Sequence, residues 1–129
     1  MPRETWLPAA AASAAAARLI VSEAAAEAGL GPRGTWDLML ATSEAVANAV
    51  QHGEPWPNGC ILLKTEPSAR GLRVEVCDCG SFDGTLEPAR LDATSGRGIL
   101  IITAVVDHFE ILNGNGRTRV CLERHTTKA

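Results

Sequence analysis

The sequence has no tyrosine, two phenylalanines and three tryptophans, so aromatic residues make up only 4% of it. No block of lysine and arginine is interleaved with those few rings, which speaks against nucleic acid as a partner, because such surfaces combine clustered cations with stacking platforms. The formal net charge of -3 is mildly acidic and mixed along the chain. No stretch approaches the roughly 20 apolar residues needed to cross a bilayer. The alanine-rich opening, MPRETWLPAAAASAAAARLIVSEAAAEAG, does not read as a secretion signal. Glu4 follows Arg3, Ser13 and Arg18 break the run, and Glu23 and Glu27 carry a helical pattern beyond it. These features give the expectation of a soluble, cytoplasmic protein without a membrane partner.

Other familiar frameworks are missing too. Zinc sites usually show two close cysteine pairs. Here one Cys-x-Cys pair, Cys77 and Cys79, is joined only by the scattered Cys60 and Cys121. In a cytosolic setting reduced cysteines used as small strand residues are the plainer reading. Alternation in LRVEVCD and TRVCLER puts Cys77 and Cys121 on the outward face of their strands. No Rossmann glycine pattern in a βαβ unit is present, and no glycine loop carries the Lys and Ser/Thr of a Walker motif. What remains is a chain of 129 residues, 46% hydrophobic and 21% charged, expected to form one domain over residues 1–129.

Periodicity divides that domain in two. Pro8 to Ala28 reads as a helix stopped by Gly29, and a second helix is expected from a cap near Thr35 to the stop at Gly53, Pro55 and Pro57. Trp36, Met39, Leu40, Val46, Ala47 and Val50 are its candidate apolar side. From Gly59 the period becomes two: CILLKTEP, the turn SARG and LRVEVCD form a hairpin. About twenty residues rich in Gly, Pro, Asp and Thr follow, a length that usually marks a functional or disordered loop. ILIITAVVDHF reads as a short apolar helix beginning against Gly96 and Gly98, and FEILN, GNGR and TRVCLER as a closing hairpin. Hairpins covered on one face by helices predict a two-layer α+β sandwich.

Three polar features interrupt this pattern. SEAVANAVQHG sets Glu44, Asn48 and His52 four residues apart, hence on one helix stripe. A solvated face would carry such a stripe; so would a site in which the Asn48 amide oxygen meets magnesium, a cation that prefers hard oxygen ligands shared with phosphates. Glu44, one turn earlier, is placed to orient or deprotonate an attacking hydroxyl. In VCDCGSF, Asp78 ends an apolar strand and needs a donor if buried, which an adenine amine supplies, while Gly80 lets a ring approach. Alone, Asp-x-Gly is also an ordinary turn. SGRGILII puts Gly96, Arg97 and Gly98 before a helix, a weak signal for an anion site built from backbone amides.

It is the order of these features that is specific. Glu-x-x-x-Asn on a helix, Asp-x-Gly after a strand, a long loop, Gly-x-Gly before a helix and a threonine in a closing strand together resemble the GHKL, or Bergerat-fold, ATPases. Within that superfamily SEAVANAVQHG, DCGSFD, GRGILIITAVVD and GRTRVCLER look like the anti-sigma-factor serine/threonine kinases of bacteria. The resemblance covers nearly the whole chain and implies a mixed sheet with three helices on one face. It further implies ATP and Mg2+ as cofactors, Asn48 holding the metal, Glu44 as catalytic base and His52 near the phosphates. Asp78 would recognise adenine, Gly80 would admit the ring, and Thr118 would reach the adenine side. Residues 83–95 would form a lid, with Gly96, Arg97 and Gly98 at its phosphate end.

The implied activity is phosphorylation of a serine on an anti-anti-sigma (STAS-type) protein together with sequestration of a sigma factor, by a chain that forms a homodimer. The alternative is a non-catalytic, ATP-dependent module that sequesters a regulator. Glu44 favours the kinase; Leu100, where the superfamily often has a third glycine, favours the binder. A histidine-kinase catalytic fragment is the weakest reading, since no helix pair bears a phosphoacceptor histidine and His108 and His125 lie outside such a context.

Overall fold

The computed structural model describes residues 2–80 and 93–126, the side chains of 93–98 excepted. In chain order the elements are β1 (Arg3–Pro8), α1 (Ser13–Glu27), α2 (Pro32–His52), β2 (Cys60–Pro67), β3 (Gly71–Asp78), α3 (Ala93–Val105), β4 (His108–Gly114) and β5 (Arg117–His125). The strands form one sheet in the order β1-β2-β3-β5-β4. Every pairing in it is antiparallel, where a mixed sheet was expected. The reason is topological: β3 and β5 run in opposite senses because α3 and the hairpin strand β4 both intervene, so no parallel neighbour arises.

Strand β1 corrects the sequence reading a second time. Pro8 does not open α1 but ends a strand registered against β2 from Arg3 opposite Thr65 to Pro8 opposite Cys60. Its alternation is short yet clear, with Leu7 buried and Glu4 and Trp6 on the outer face. The Ala9 amide continues the edge by donating to the Gly59 carbonyl over 3.0 Å, and α1 begins only at Ser13. α2 also starts earlier than Thr35, with Pro32 in the first turn, where the missing proline N–H costs nothing. The helix stop at Gly29 does occur, in the left-handed region at φ 80°. In the last hairpin Asn115 and Gly116 both take positive φ, 55° and 70°, as the two-residue turn between twisted strands requires.

The core lies between helices and sheet. Leu38, Ala41, Thr42, Ala45, Val46 and Ala49 make the buried face of α2, a repeat of three and four residues. Ala17, Val21, Ala24 and Ala25 of α1 meet them. From the sheet come Ile61 and Leu63, Leu72, Val74 and Val76, and Leu122, with Ile102 of α3 also wholly buried. Small residues on both helices permit close approach, so Trp36 and Ala47 are not needed inside; both are exposed. No described helix is long and apolar enough to cross a membrane.

At the end of the sheet far from Gly53, Asp37 of α2 is 6% exposed and accepts from Arg124 Nη2 over 3.1 Å and from Arg33 Nε over 3.3 Å. Arg124 Nη1 reaches Asp107 at 3.1 Å, joining α2, β5 and the α3–β4 junction.

Candidate functional site

The inner face of β3 carries Leu72, Val74 and Val76 and then Asp78, so two-residue periodicity aims the carboxylate at the helices. Asp78 is 7% exposed. Burial raises its pKa above the ordinary carboxylate value, against the opposing pull of the Gly80 and Glu54 backbone amides. Asp78 Oδ1 accepts from the Gly80 N–H at 2.8 Å and the Glu54 N–H at 3.4 Å. Directly across the ladder from Asp78 stands Thr118, also buried, whose hydroxyl donates to the Gly80 carbonyl over 3.0 Å. Thr118, 38 positions from Gly80 in sequence, is therefore brought together with Asp78 and Gly80.

Helix α2 ends beside them. Glu44 and Asn48 are half-buried on the flank of its buried face and His52 is exposed in its last turn. The next residue, Gly53, packs against the Asp78 carboxylate, where an added Cβ would lie 2.6 Å from Oδ2. The Glu54 carbonyl accepts the Cys79 N–H over 2.7 Å. The C-terminal end of the polar stripe and the acidic strand end thus share one corner of the molecule. Gly53 was read in the sequence only as a helix stop and Glu54 was not singled out, although a glycine directly after the stripe, followed by Glu-Pro, was the available signal.

The glycine pair falls differently from the expected turn. Gly96, Arg97 and Gly98 lie within the first two turns of α3, which begins at Ala93. Each glycine inside a helix costs about 1 kcal/mol against alanine, a cost offset where Ile102 and its neighbours anchor the helix to the core. Of the expected lid, residues 83–92 lie outside the described residues. Among the described residues no group of three or more His, Cys, Asp or Glu is placed to hold a metal ion. The amide oxygen of Asn48 suits instead a magnesium ion that completes its shell with phosphate and water.

The thiols keep to the outer face of the sheet, yet not as exposed groups. Cys77 and Cys121 are both buried. Burial, then the nearby Glu75, pushes the Cys77 thiol up to about 11, and Cys121 is likewise raised by burial and Glu75. Arg73 Nη2 lies 3.2 Å from Cys121 Sγ and Arg73 Nη1 bonds Glu123 at 3.1 Å, so a layer of ion pairs covers the sulfurs.

The chain thus sets a buried carboxylate at a central strand end beside a polar helix flank, in an antiparallel sheet under three helices. The histidine kinase-like ATPase domain family matches residues 7–124, and the chain belongs to that family. Among solved structures it is similar to the RsbU and RsbW domains of Rv1364c from Mycobacterium tuberculosis, with 26% identity and a TM-score of 0.71. That match covers 100% of this chain and 34% of the other, so the chain spans about a third of that relative's length. No curated protein matches the chain. The resemblance to anti-sigma-factor kinases of the GHKL superfamily is borne out by these two likenesses.

Proposed function

We propose that the protein is an ATP-binding serine protein kinase that acts as an anti-sigma factor, phosphorylating a STAS-type anti-anti-sigma partner and sequestering a sigma factor. The observation that carries this reading is the buried Asp78, with one oxygen held by backbone amides and Thr118 opposite it across the ladder. A carboxylate so held accepts a hydrogen bond from an exocyclic amine and rejects a base that offers a carbonyl there. Gly80 leaves the approach to the ring open, and Thr118 steadies that glycine from the adenine side.

At the other end of the nucleotide, Asn48 offers its amide oxygen to magnesium, which when bound neutralises phosphate charge. The negative end of the α2 dipole favours a cation nearby, and His52, in the last turn of α2, is assigned to the neighbourhood of the phosphates. The resemblance puts Gly96, Arg97 and Gly98, in the first two turns of α3, at the phosphate end of the site. Glu44 takes the proton from the acceptor serine as its oxygen bonds to the terminal phosphorus and ADP leaves. Little covalent help is required, because positioning and charge neutralisation dominate phosphoryl transfer.

Calorimetric titration with ATP, with and without magnesium, tests the nucleotide half of this reading; micromolar, magnesium-dependent binding is expected. Transfer of labelled phosphate to a co-encoded small regulator tests the kinase half. Leu100, exposed at the position of a third superfamily glycine, favours a second reading in which the domain binds ATP and holds a regulator without phosphorylating it. Binding without transfer would establish that alternative.

A further inference from the structure

The chain leaves α2 at Gly53 with φ -88° and ψ -173°, an extended conformation open to any L-residue. Space, then, and not backbone strain, bars a side chain. A Cβ on Gly53 would stand 2.6 Å from Asp78 Oδ2 and 2.7 Å from the Ala49 carbonyl oxygen. Neither atom gives way cheaply. The Ala49 carbonyl accepts the Gly53 N–H over 2.9 Å and closes the helix, and Asp78 is a short side chain whose other oxygen is already held. That oxygen, Oδ1, takes two amides, one from Gly80 and one from Glu54. The Glu54 carbonyl in turn accepts the Cys79 N–H, so two consecutive residues after the helix grip two consecutive residues at the strand end.

A free aspartate carboxyl rotates broadly about its last torsion. Two donors on Oδ1 fix its plane, and an orientation fixed before binding spares the ligand that ordering cost. We propose that Gly53 and Glu54 are positioning residues for Asp78: the Glu54 amide anchors one carboxylate oxygen, and the bare Gly53 Cα leaves the other room to accept an adenine amine. This inference rests on the adenine-binding reading of Asp78. It also makes the six residues from Asn48 to Gly53 a single rigid connection between the metal end and the base end of the site.

The test uses the full chain with 13C-labelled aspartate. The Asp78 carboxyl is titrated with pH in the wild type, Gly53→Ala and Glu54→Pro, without nucleotide; ATP and GTP are then titrated into each, and into Asp78→Asn with and without Gly53→Ala. In Gly53→Ala the Asp78 midpoint should move by about half a pH unit or more. ATP affinity should fall about tenfold, the preference for ATP over GTP should shrink, and the same change should cost nothing further in the Asp78→Asn background. An unmoved Asp78 titration with unchanged ATP affinity overturns the proposal, as does a loss that adds in full to that of Asp78→Asn.

Should Gly53→Ala fail to fold, Glu54→Pro decides. It removes the N–H together with the Glu54 charge, so it is compared with Glu54→Gln, which removes the charge and keeps the N–H; the extended ψ of Gly53 already suits a following proline. An Asp78 titration that is the same in Glu54→Pro as in Glu54→Gln overturns the clamp. A titration that moves in a protein whose wild type binds no ATP supports the clamp and refutes the adenine reading on which its purpose rests.

Discussion

The Thr118 hydroxyl reaches across 38 positions of sequence to donate to the Gly80 carbonyl over 3.0 Å. Both groups are buried beside Asp78, so the bond fixes the turn that carries the Asp78-Cys79-Gly80 backbone. Replacing Thr118 with alanine strands a buried carbonyl and should cost about 1–2 kcal/mol of stability. Thr118→Ser, which keeps the oxygen, should recover most of it. Urea unfolding of the two variants checks this, and equal losses would mean that the methyl group matters and the hydroxyl does not.

Removing Asn48 and removing Glu44 should have separable consequences. Asn48→Ala is expected to abolish magnesium-dependent nucleotide binding in calorimetry. Glu44→Ala should leave binding largely intact while slowing phosphate transfer by a factor on the order of 10²–10⁴, the usual range for a general base. Equal transfer rates in Glu44→Ala and wild type would remove Glu44 from the chemistry.

Acid should affect ligand binding and the stability contributed by Asp78 in opposite directions. The Asp78 pKa is raised in the folded protein by burial, so the folded state holds this proton more tightly than the unfolded chain. Its contribution to stability is therefore fully present below the ordinary carboxylate pKa and is lost as pH rises through the folded value. ATP needs the ionised form, so affinity should rise over the same window, and ATP should draw the Asp78 midpoint down. Asp78→Asn should flatten both dependences. Asp107 has the reverse sign: although burial acts to raise it, the His125 amide and Arg124 hold its pKa low, and its contribution is lost as pH falls through that lowered value.

The Asp37–Arg124 pair ties α2 to β5 at the end of the sheet away from Asp78, with side-chain exposures of 8% and 20%. Arg124→Ala leaves the Asp37 carboxylate buried with only the exposed Arg33 for company, and should cost about 3 kcal/mol. Thermal unfolding measures it. Nucleotide affinity, read at a temperature where the variant is folded, should be nearly unchanged.

Thiol labelling should proceed in two stages. Cys60 and Cys79 are half-buried and should react first under native conditions. Cys77, with its thiol pushed up to about 11, and Cys121 under Arg73 should label only on unfolding, since the thiolate is the reactive form. Four equally fast thiols would contradict the ion-pair cover on the outer face.

Much of this architecture was legible where a pattern is local. The two hairpins, the helix stop at Gly29 and the Glu44–Asn48–His52 stripe follow from periods of two or four residues and from turn chemistry. β1 was missed because six residues of strand ahead of an alanine run weigh less than the run, and only pairing with β2, over fifty residues away, makes them a strand. Trp36 was counted on the apolar side of α2, yet it is 64% exposed, because alanines on α1 and α2 already fill the seam. The meeting of Asp78 with Thr118 depends on register between strands that are not consecutive. The packing of Gly53 on Asp78 depends on where one helix ends. Neither relation leaves a periodic trace.

The pairing of β3 with β5 has a consequence for how this fold tolerates change. Asp78 and Thr118 are cross-strand neighbours, so all the chain between them, α3 and β4 included, is one closed excursion from the middle of the sheet. Closing such an excursion costs entropy only logarithmically in its length, about 0.6 kcal/mol for each doubling. Insertions between Asp78 and α3 should therefore be cheap for folding, and the length of that segment is free to be set by what the protein must cover or release.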